Sequence, residues 1–181
     1  MDGVACEIIG TYNALTMVGN DIDYLKLAIE FEYNATLYPA VIDEMKPFIP
    51  TGTWGSDPRK IGHCLDAYNV TSYTVFDKKN YSSWLDACKA YEEAFKSDDT
   101  KCGIVSDHWP YKDKFYIPIH TFAVVYNHNN PEKWFRTFND KTAIDHEAEP
   151  KYVDYTSIYN RFTDDVENKN NNQFMIGYIL N

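Results

Sequence analysis

The stretch YIPIHTFAVVYN (residues 116–127), followed by HNNP (128–131) and EKWFRTFND (132–140), has the pattern of a β-hairpin. Both outer segments are rich in β-branched and aromatic residues, and the four residues between them include the Asn and Pro that are typical of turns. A short turn reverses the chain direction, so the two strands of a hairpin pair antiparallel. The stretch therefore predicts an antiparallel sheet in the C-terminal half of the chain.

Other segments after the first 70 residues extend this pattern. Strands are predicted at TSYTVF (71–76), CGIVSDHW (102–109) and QFMIGYIL (173–180). Helical spacing of apolar residues predicts a helix at YSSWLDACKAYEEAF (81–95) and a further helix at residues 152–166.

The first 70 residues have mainly helical spacing. Helices are predicted at residues 6–18, at DIDYLKLAIEFEYNA (21–35), at LYPAVIDEMKPFI (37–49) and at 58–68, where a Pro suits the first helical position. Helices that precede antiparallel strands indicate an α+β fold, in which a helical N-terminal half packs on a sheet from the C-terminal half.

Length and composition restrict the classes of protein to which this chain can belong. Its 181 residues suit a single domain over residues 1–181, and 44% apolar residues suffice for one core. A net charge of -10 argues against binding to nucleic acid. We expect no membrane span, because no run of eighteen apolar residues occurs. Residues 1–19 lack a basic leader, so we expect a cytoplasmic protein, or an exported one if a leader has been removed.

A thiol stands where the first predicted helix begins. Cys6 precedes the apolar positions of that helix, and the positive end of a helix dipole favours a thiolate over a thiol. Cysteines are also among the most buried residue types, so position alone leaves two interpretations, a nucleophile or a small core residue. Cys64, Cys88 and Cys102 form no CxxC pair, which favours reduced thiols.

A cysteine nucleophile needs a base, and His120 has the most suitable setting among the five histidines. It opens the apolar first strand of the hairpin, so its ring projects from a rigid element at the edge of the core. Asn139 and Asp140 stand where the return strand ends, and a hairpin brings such positions back beside His120. Either side chain can accept the imidazole N–H, so the order Cys, His, Asn or Asp is coherent for a catalytic triad.

Five segments follow one another in an informative order: ACEIIGTYNAL, GTWGSDPRKIGHCLDAYNV, GIVSDHW, HTFAVVYN and WFRTFND. Together they resemble successive blocks of the papain-like cysteine peptidases. They are most similar to the bacterial branch that includes the leader-cleaving (double-glycine) peptidase domains of bacteriocin exporters and their stand-alone relatives. The resemblance covers residues 5–140. It implies a papain-like fold, a peptide or peptide-like substrate and no cofactor.

Carried over residue by residue, the resemblance makes Cys6 the nucleophile, His120 the general base and Asn139 or Asp140 the orienting residue. The bacterial branch mostly has Asp at the last position and the wider superfamily has Asn, so both stay open, and strand alternation slightly favours Asn139. The family also places a Gln shortly before the Cys as an oxyanion donor. Residues 1–5 hold no Gln or Asn, so this chain departs from the family there.

Three further side chains are candidates for lining a substrate site. Trp54 lies in the turn before a predicted helix, and His108 and Trp109 end a predicted strand. Each of them is equally compatible with anchoring a loop or covering the core. The spacing of His and Cys residues predicts no metal site.

The residues and the resemblance together predict a cysteine peptidase or amidase that hydrolyses a peptide-like bond through an acyl-enzyme on Cys6. Two alternatives stay open. An acyltransferase would use the same triad, and a narrow apolar tunnel would favour it. A non-catalytic binding module or pseudo-enzyme would keep the fold without turnover, and a Cys6 buried away from His120 would favour that interpretation.

Overall fold

A computed structural model describes residues 6–33, 58–96, 102–108, 119–127, 132, 135–138, 152–163 and 173–181. The helices in these ranges are α1 (Cys6–Met17), α2 (Tyr24–Tyr33), α3 (Lys60–Ala67), α4 (Trp84–Phe95) and α5 (Ile158–Thr163). The strands are β1 (Tyr73–Asp77), β2 (Cys102–His108), β3 (Ile119–Tyr126), β4 (Phe135–Phe138), β5 (Tyr152–Tyr155) and β6 (Gln173–Leu180). A 3₁₀ turn (Lys78–Asn80) follows β1.

The six described strands form one antiparallel sheet in the order β1-β6-β2-β3-β4-β5. The last strand in the chain, β6, therefore lies between the first two. The predicted hairpin is present as β3 and β4, with Tyr126 opposite Phe135 and Ala123 opposite Phe138. The α+β class expected from the sequence is confirmed.

Helices cover both faces of the sheet. Helices α1, α2 and α3 pack with Ile104, Ala123 and Tyr178 on one face. Helices α4 and α5 pack on the other face, where Val105 and Phe122 belong to the core. Strand β2 is buried along its whole length, because both of its faces are covered. The sequence predicted one helical layer packed on the sheet. This prediction lacks the second layer, which α4 and α5 form on the other face.

The predicted helix at 152–166 is wrong in its first part. Residues 152–155 form the edge strand β5, and α5 begins only at Ile158. β5 pairs with β4, where the guanidinium of Arg136 donates two hydrogen bonds to Asp154 at 2.8 and 3.0 Å. Tertiary pairing has overridden the local helical spacing here. The helix predicted at 37–49 lies outside the described residues.

Helix α1 approaches β3 closely. A Cβ atom at Gly10 would lie 3.0 Å from Cγ2 of Thr121, so the absence of a side chain at Gly10 sets how near the helix lies to the strand. This contact places the first turn of α1 beside the first residues of β3. None of the helices in the described ranges has the length and apolar character needed to cross a bilayer.

Candidate active site at one end of the sheet

One end of the sheet gathers residues from four strands. There, His108 at the end of β2 lies opposite Ile119 at the start of β3 and opposite Gln173 at the start of β6. Asp77, at the end of β1, pairs with Ile176 of β6 near the same end. The first turn of α1 packs against this end, so residues far apart in the sequence become neighbours.

Cys6 is the first residue of α1 and lies against the backbone of β3. Its Sγ is 3.7 Å from the carbonyl oxygen of Ile119, and the backbone of Thr121 also forms a hydrogen bond with it. These two residues flank His120. The thiol also donates to Oε2 of Glu7 at 3.3 Å. The sulfur is thus held at the strand segment that carries His120.

The environment of Cys6 favours the thiol over the thiolate. Burial and the neighbouring Glu7 carboxylate raise the pKa of Cys6, and the backbone hydrogen bond from Thr121 only partly opposes them. The side chain of Glu7 is fully buried and Cys6 is only 7% exposed. The expectation from the helix dipole alone, a lowered pKa for Cys6, is therefore wrong for this state of the protein.

His120 is half-buried and belongs to the opposite side of β3 from Thr121, because side chains alternate along a strand. Its ring stacks on that of Phe122 with centroids 6.0 Å apart. Directly across the sheet, Asp107 of β2 is its register partner and shares this face. Cys6 contacts the edge of the strand, whereas His120 lies on the face that α4 and α5 cover.

Asp107 forms a buried ion pair with Arg161 of α5, and neither side chain is exposed. The guanidinium also lies over the ring of Phe122, with its Cζ 4.5 Å from the centroid. Arg161 thus holds the Asp107 carboxylate directly across the sheet from His120.

Buried polar side chains are concentrated at this end of the molecule. On the α1 face, the hydroxyls of Ser106 and Thr121 are 2.8 Å apart across β2 and β3. Glu7 and Thr11 of α1 are buried against the same region. Buried polar groups cost stability unless they are paired, so their concentration at one place marks it as a candidate functional site.

A second polar contact links His108 to Lys78. Nδ1 of His108 is 3.3 Å from the carbonyl oxygen of Gln173, and its Nε2 is 3.1 Å from Nζ of Lys78. A carbonyl oxygen only accepts, so Nδ1 carries the proton and Nε2 accepts from Lys78. Burial and the Lys78 charge lower the pKa of His108, and burial lowers the pKa of Lys78. His108 is therefore neutral in this arrangement.

The structure brings together Cys6, His108 and the strand segment of His120 at one end of the sheet. The other predicted site residues lie outside the described residues: Trp54, Trp109, Asn139 and Asp140. Sequence reasoning missed Glu7, Asp107, Lys78 and Arg161. An acidic residue inside each of the apolar segments ACEIIG and GIVSDH was the available signal for the first two.

All four cysteines lie in the described ranges, are buried and are present as thiols. Cys6 is 7% exposed and the other three are fully buried. Within the described part of the chain, no three His, Cys, Asp or Glu side chains converge as ligands for a metal ion would.

Comparison of the chain with protein-family models, with curated proteins and with solved structures found no match in any of the three.

Proposed function

We propose that this protein is a cysteine peptidase or amidase with a papain-like fold, in which Cys6 is the nucleophile and His120 the general base. The position of the Cys6 sulfur carries this proposal. It lies at the start of a helix and contacts the backbone on both sides of His120. Such a nucleophile needs the imidazole of its base within hydrogen-bond reach, and the backbone contacts support the proposal by holding the sulfur at the segment that carries His120.

The proposed reaction begins from a protonated Cys6. As the sulfur attacks the carbonyl carbon of the substrate, a C–S bond forms and the thiol proton passes to His120. The C–N bond then breaks, and the proton leaves with the amine. Water hydrolyses the resulting thioester, which releases the acid and restores the thiol. Glu7 holds the thiol proton in the resting state, because it accepts the Cys6 hydrogen bond.

Asp107 is a third candidate for the residue that orients His120, beside Asn139 and Asp140. It is the register partner of His120 on the adjacent strand, and the ion pair with Arg161 holds its carboxylate in place. A carboxylate that accepts an imidazole N–H fixes the ring and stabilises the imidazolium.

One observation favours a second function, a binding module without turnover. Cys6 is nearly inaccessible and its pKa is raised, which opposes nucleophilic attack. In that case Cys6 and Glu7 would be part of a buried polar contact between α1 and β3. The two functions differ in whether substrate binding makes the thiol reactive.

A peptide-like electrophile separates these functions. The protein is incubated with a panel of peptidyl vinyl sulfones, and adducts are located by mass spectrometry. We expect an adduct on Cys6, its loss in Cys6→Ala, and a rate at least about a hundredfold lower in His120→Ala, because a general base contributes about that much. His63→Ala, on the exposed surface of α3, is the matched control and should react at the wild-type rate.

Equal adduct rates in His120→Ala and His63→Ala would exclude His120 as the base. No adduct on Cys6 in the folded protein, together with no hydrolysis across a broad peptide panel, would favour the binding module.

A further inference from the structure

Lys78 is a half-buried cation whose contact partner is a neutral ring. Its Nζ donates to Nε2 of His108 at 3.1 Å. The neighbouring acid, Asp77, acts on Lys78 through its charge but makes its contacts with Lys79, whose backbone N–H it accepts at 2.9 Å and whose Nζ it pairs with at 3.0 Å. Among the described residues, no carboxylate forms an ion pair with Lys78. A partly buried ammonium group without a counter-ion in contact is costly, and an anion would relieve that cost.

The position of the Lys78 ammonium is set by its surroundings. His108 is anchored through Nδ1 to the carbonyl oxygen of Gln173, and its other ring nitrogen receives one N–H of Lys78. An ammonium has three N–H donors, so two further N–H groups can bind an acceptor. Lysine binds anions as a point charge, so its ammonium suits a carboxylate, the anion that a peptide-like substrate carries.

This pair lies at the same end of the sheet as Cys6. His108 lies directly opposite Ile119 across β2 and β3, and the carbonyl oxygen of Ile119 is 3.7 Å from the Cys6 sulfur. Neighbouring strands are about 4.8 Å apart. The backbone of His108 is thus one strand away from the segment that contacts the proposed nucleophile, whereas its ring contacts Gln173 of β6, on the other side of β2, and Lys78 follows β1.

We propose that Lys78, positioned by His108, binds a free carboxylate of the substrate, so that the substrate is a peptide-like molecule with a free acid group. The identity of the ligand as substrate rests on the proposed function, whereas carboxylate binding at this pair does not. The chain has a net charge of -10, so a local cation is needed to bind an acidic molecule against the overall repulsion.

Acetate is the probe for the carboxylate site, and acetamide is its neutral control. The ring signals of His108 are followed by NMR during titration at constant ionic strength. We expect a saturable shift with acetate and none with acetamide. Lys78→Met should weaken acetate binding at least about tenfold, as expected for loss of a charged hydrogen bond. Lys79→Met removes the adjacent, 65% exposed ammonium and should change binding less than about twofold.

Lys78→Arg keeps the charge and should retain acetate binding. This variant shows whether Lys78→Met weakens binding because the cation is lost or because the fold is disturbed. Equal weakening of acetate binding in Lys78→Met and Lys79→Met would overturn the proposal, because it would indicate that acetate responds to the overall surface charge and not to one site. A stronger response to inorganic phosphate than to acetate would overturn the carboxylate assignment.

Cys6→Ala should bind acetate as the wild type does, so this test does not depend on catalysis. Acetate binding without any adduct on Cys6 would leave the carboxylate site in place and refute the proposed hydrolase. An adduct on Cys6 without acetate binding would support the proposed hydrolase and refute the carboxylate site. For a peptide that is cleaved, Lys78→Met should raise KM for the free acid and leave KM for its amide unchanged.

Discussion

The carboxylate of Asp107 and the guanidinium of Arg161 form an ion pair with no solvent exposure, between the end of β2 and helix α5. The ring of Phe122 lies on one side of the guanidinium, and the ring centroid of Phe162 is 5.3 Å from its Cζ. Two charges have thus been removed from water directly beside His120. The pair joins α5 to β2, the strand next to the one that carries His120.

Arg161→Met should destabilise the protein by about 3–5 kcal/mol, because it leaves the Asp107 carboxylate buried without its cation. Urea unfolding followed by circular dichroism measures this change. The control is Lys79→Met, which breaks an ion pair with a largely exposed lysine and should cost less than about 1 kcal/mol. Similar losses in both variants would mean that burial does not determine the strength of the Asp107–Arg161 pair.

Cys6 should react with iodoacetamide before the other three thiols, because it alone among them retains surface exposure. Glu7→Gln should increase this rate at pH 8. The Glu7 carboxylate raises the pKa of Cys6, and its removal lowers that pKa. Each unit by which the pKa of Cys6 falls raises its thiolate fraction about tenfold. Peptide mapping by mass spectrometry gives the rate at each cysteine.

Glu93→Gln, which removes the same charge from an exposed position on α4, should leave the Cys6 rate unchanged. Faster labelling of all four cysteines in Glu7→Gln would indicate unfolding instead. A slower rate at Cys6 would contradict the assigned effect of Glu7.

The protein should lose stability as the pH falls below 6.5, the ordinary pKa of a histidine. The folded state holds the pKa of His108 below that value, so the unfolded state takes up the proton first. The contribution of His108 is therefore present above pH 6.5 and is lost as the pH falls through the folded pKa. Burial and Lys78 lower this pKa, and Asp107 and the Gln173 hydrogen bond oppose them.

Lys78→Gln should reduce that loss of stability, because the pKa of His108 then moves back toward its ordinary value. Urea unfolding at pH 7.5, 6.5 and 5.5 measures the difference, and Lys79→Gln should behave as the wild type. An unchanged pH dependence in Lys78→Gln would show that Lys78 does not act on His108.

Gly177→Ala should destabilise the protein by about 1–3 kcal/mol, because the interior there has no room for a methyl group. A Cβ at this position of β6 would lie 2.5 Å from Cδ2 of Tyr91 and 2.9 Å from Cζ of Phe174. Gly62→Ala is the matched control on α3, where the nearest atom, Cε1 of Tyr178, is 3.4 Å away. It should be neutral or stabilising by up to about 1 kcal/mol, as Ala favours a helix. Unfolding midpoints in urea compare the two.

Local patterns were sufficient for most of the described elements. The alternating and apolar segments predicted β1, β2, β6 and the hairpin of β3 and β4, and the helical spacing at 81–95 predicted α4. Helix α4 begins at Trp84 rather than at residue 81, and the Ser83 hydroxyl caps this start by accepting the backbone N–H of Asp86. Residues 152–155 show where local spacing fails, because an edge strand forms only when a partner such as β4 is present.

The sequence by itself determined the type of most of the described elements and placed Cys6 at a helix start and His120 at a strand start, because periodicity is a local property. The contacts that act on these residues were decided by the tertiary structure. Lys78 meets His108 because β6, the last strand in the chain, inserts between β1 and β2. Burial then raises the pKa of Cys6 where the helix dipole alone would lower it. Strand order and burial depend on long-range packing, and no local pattern encodes them.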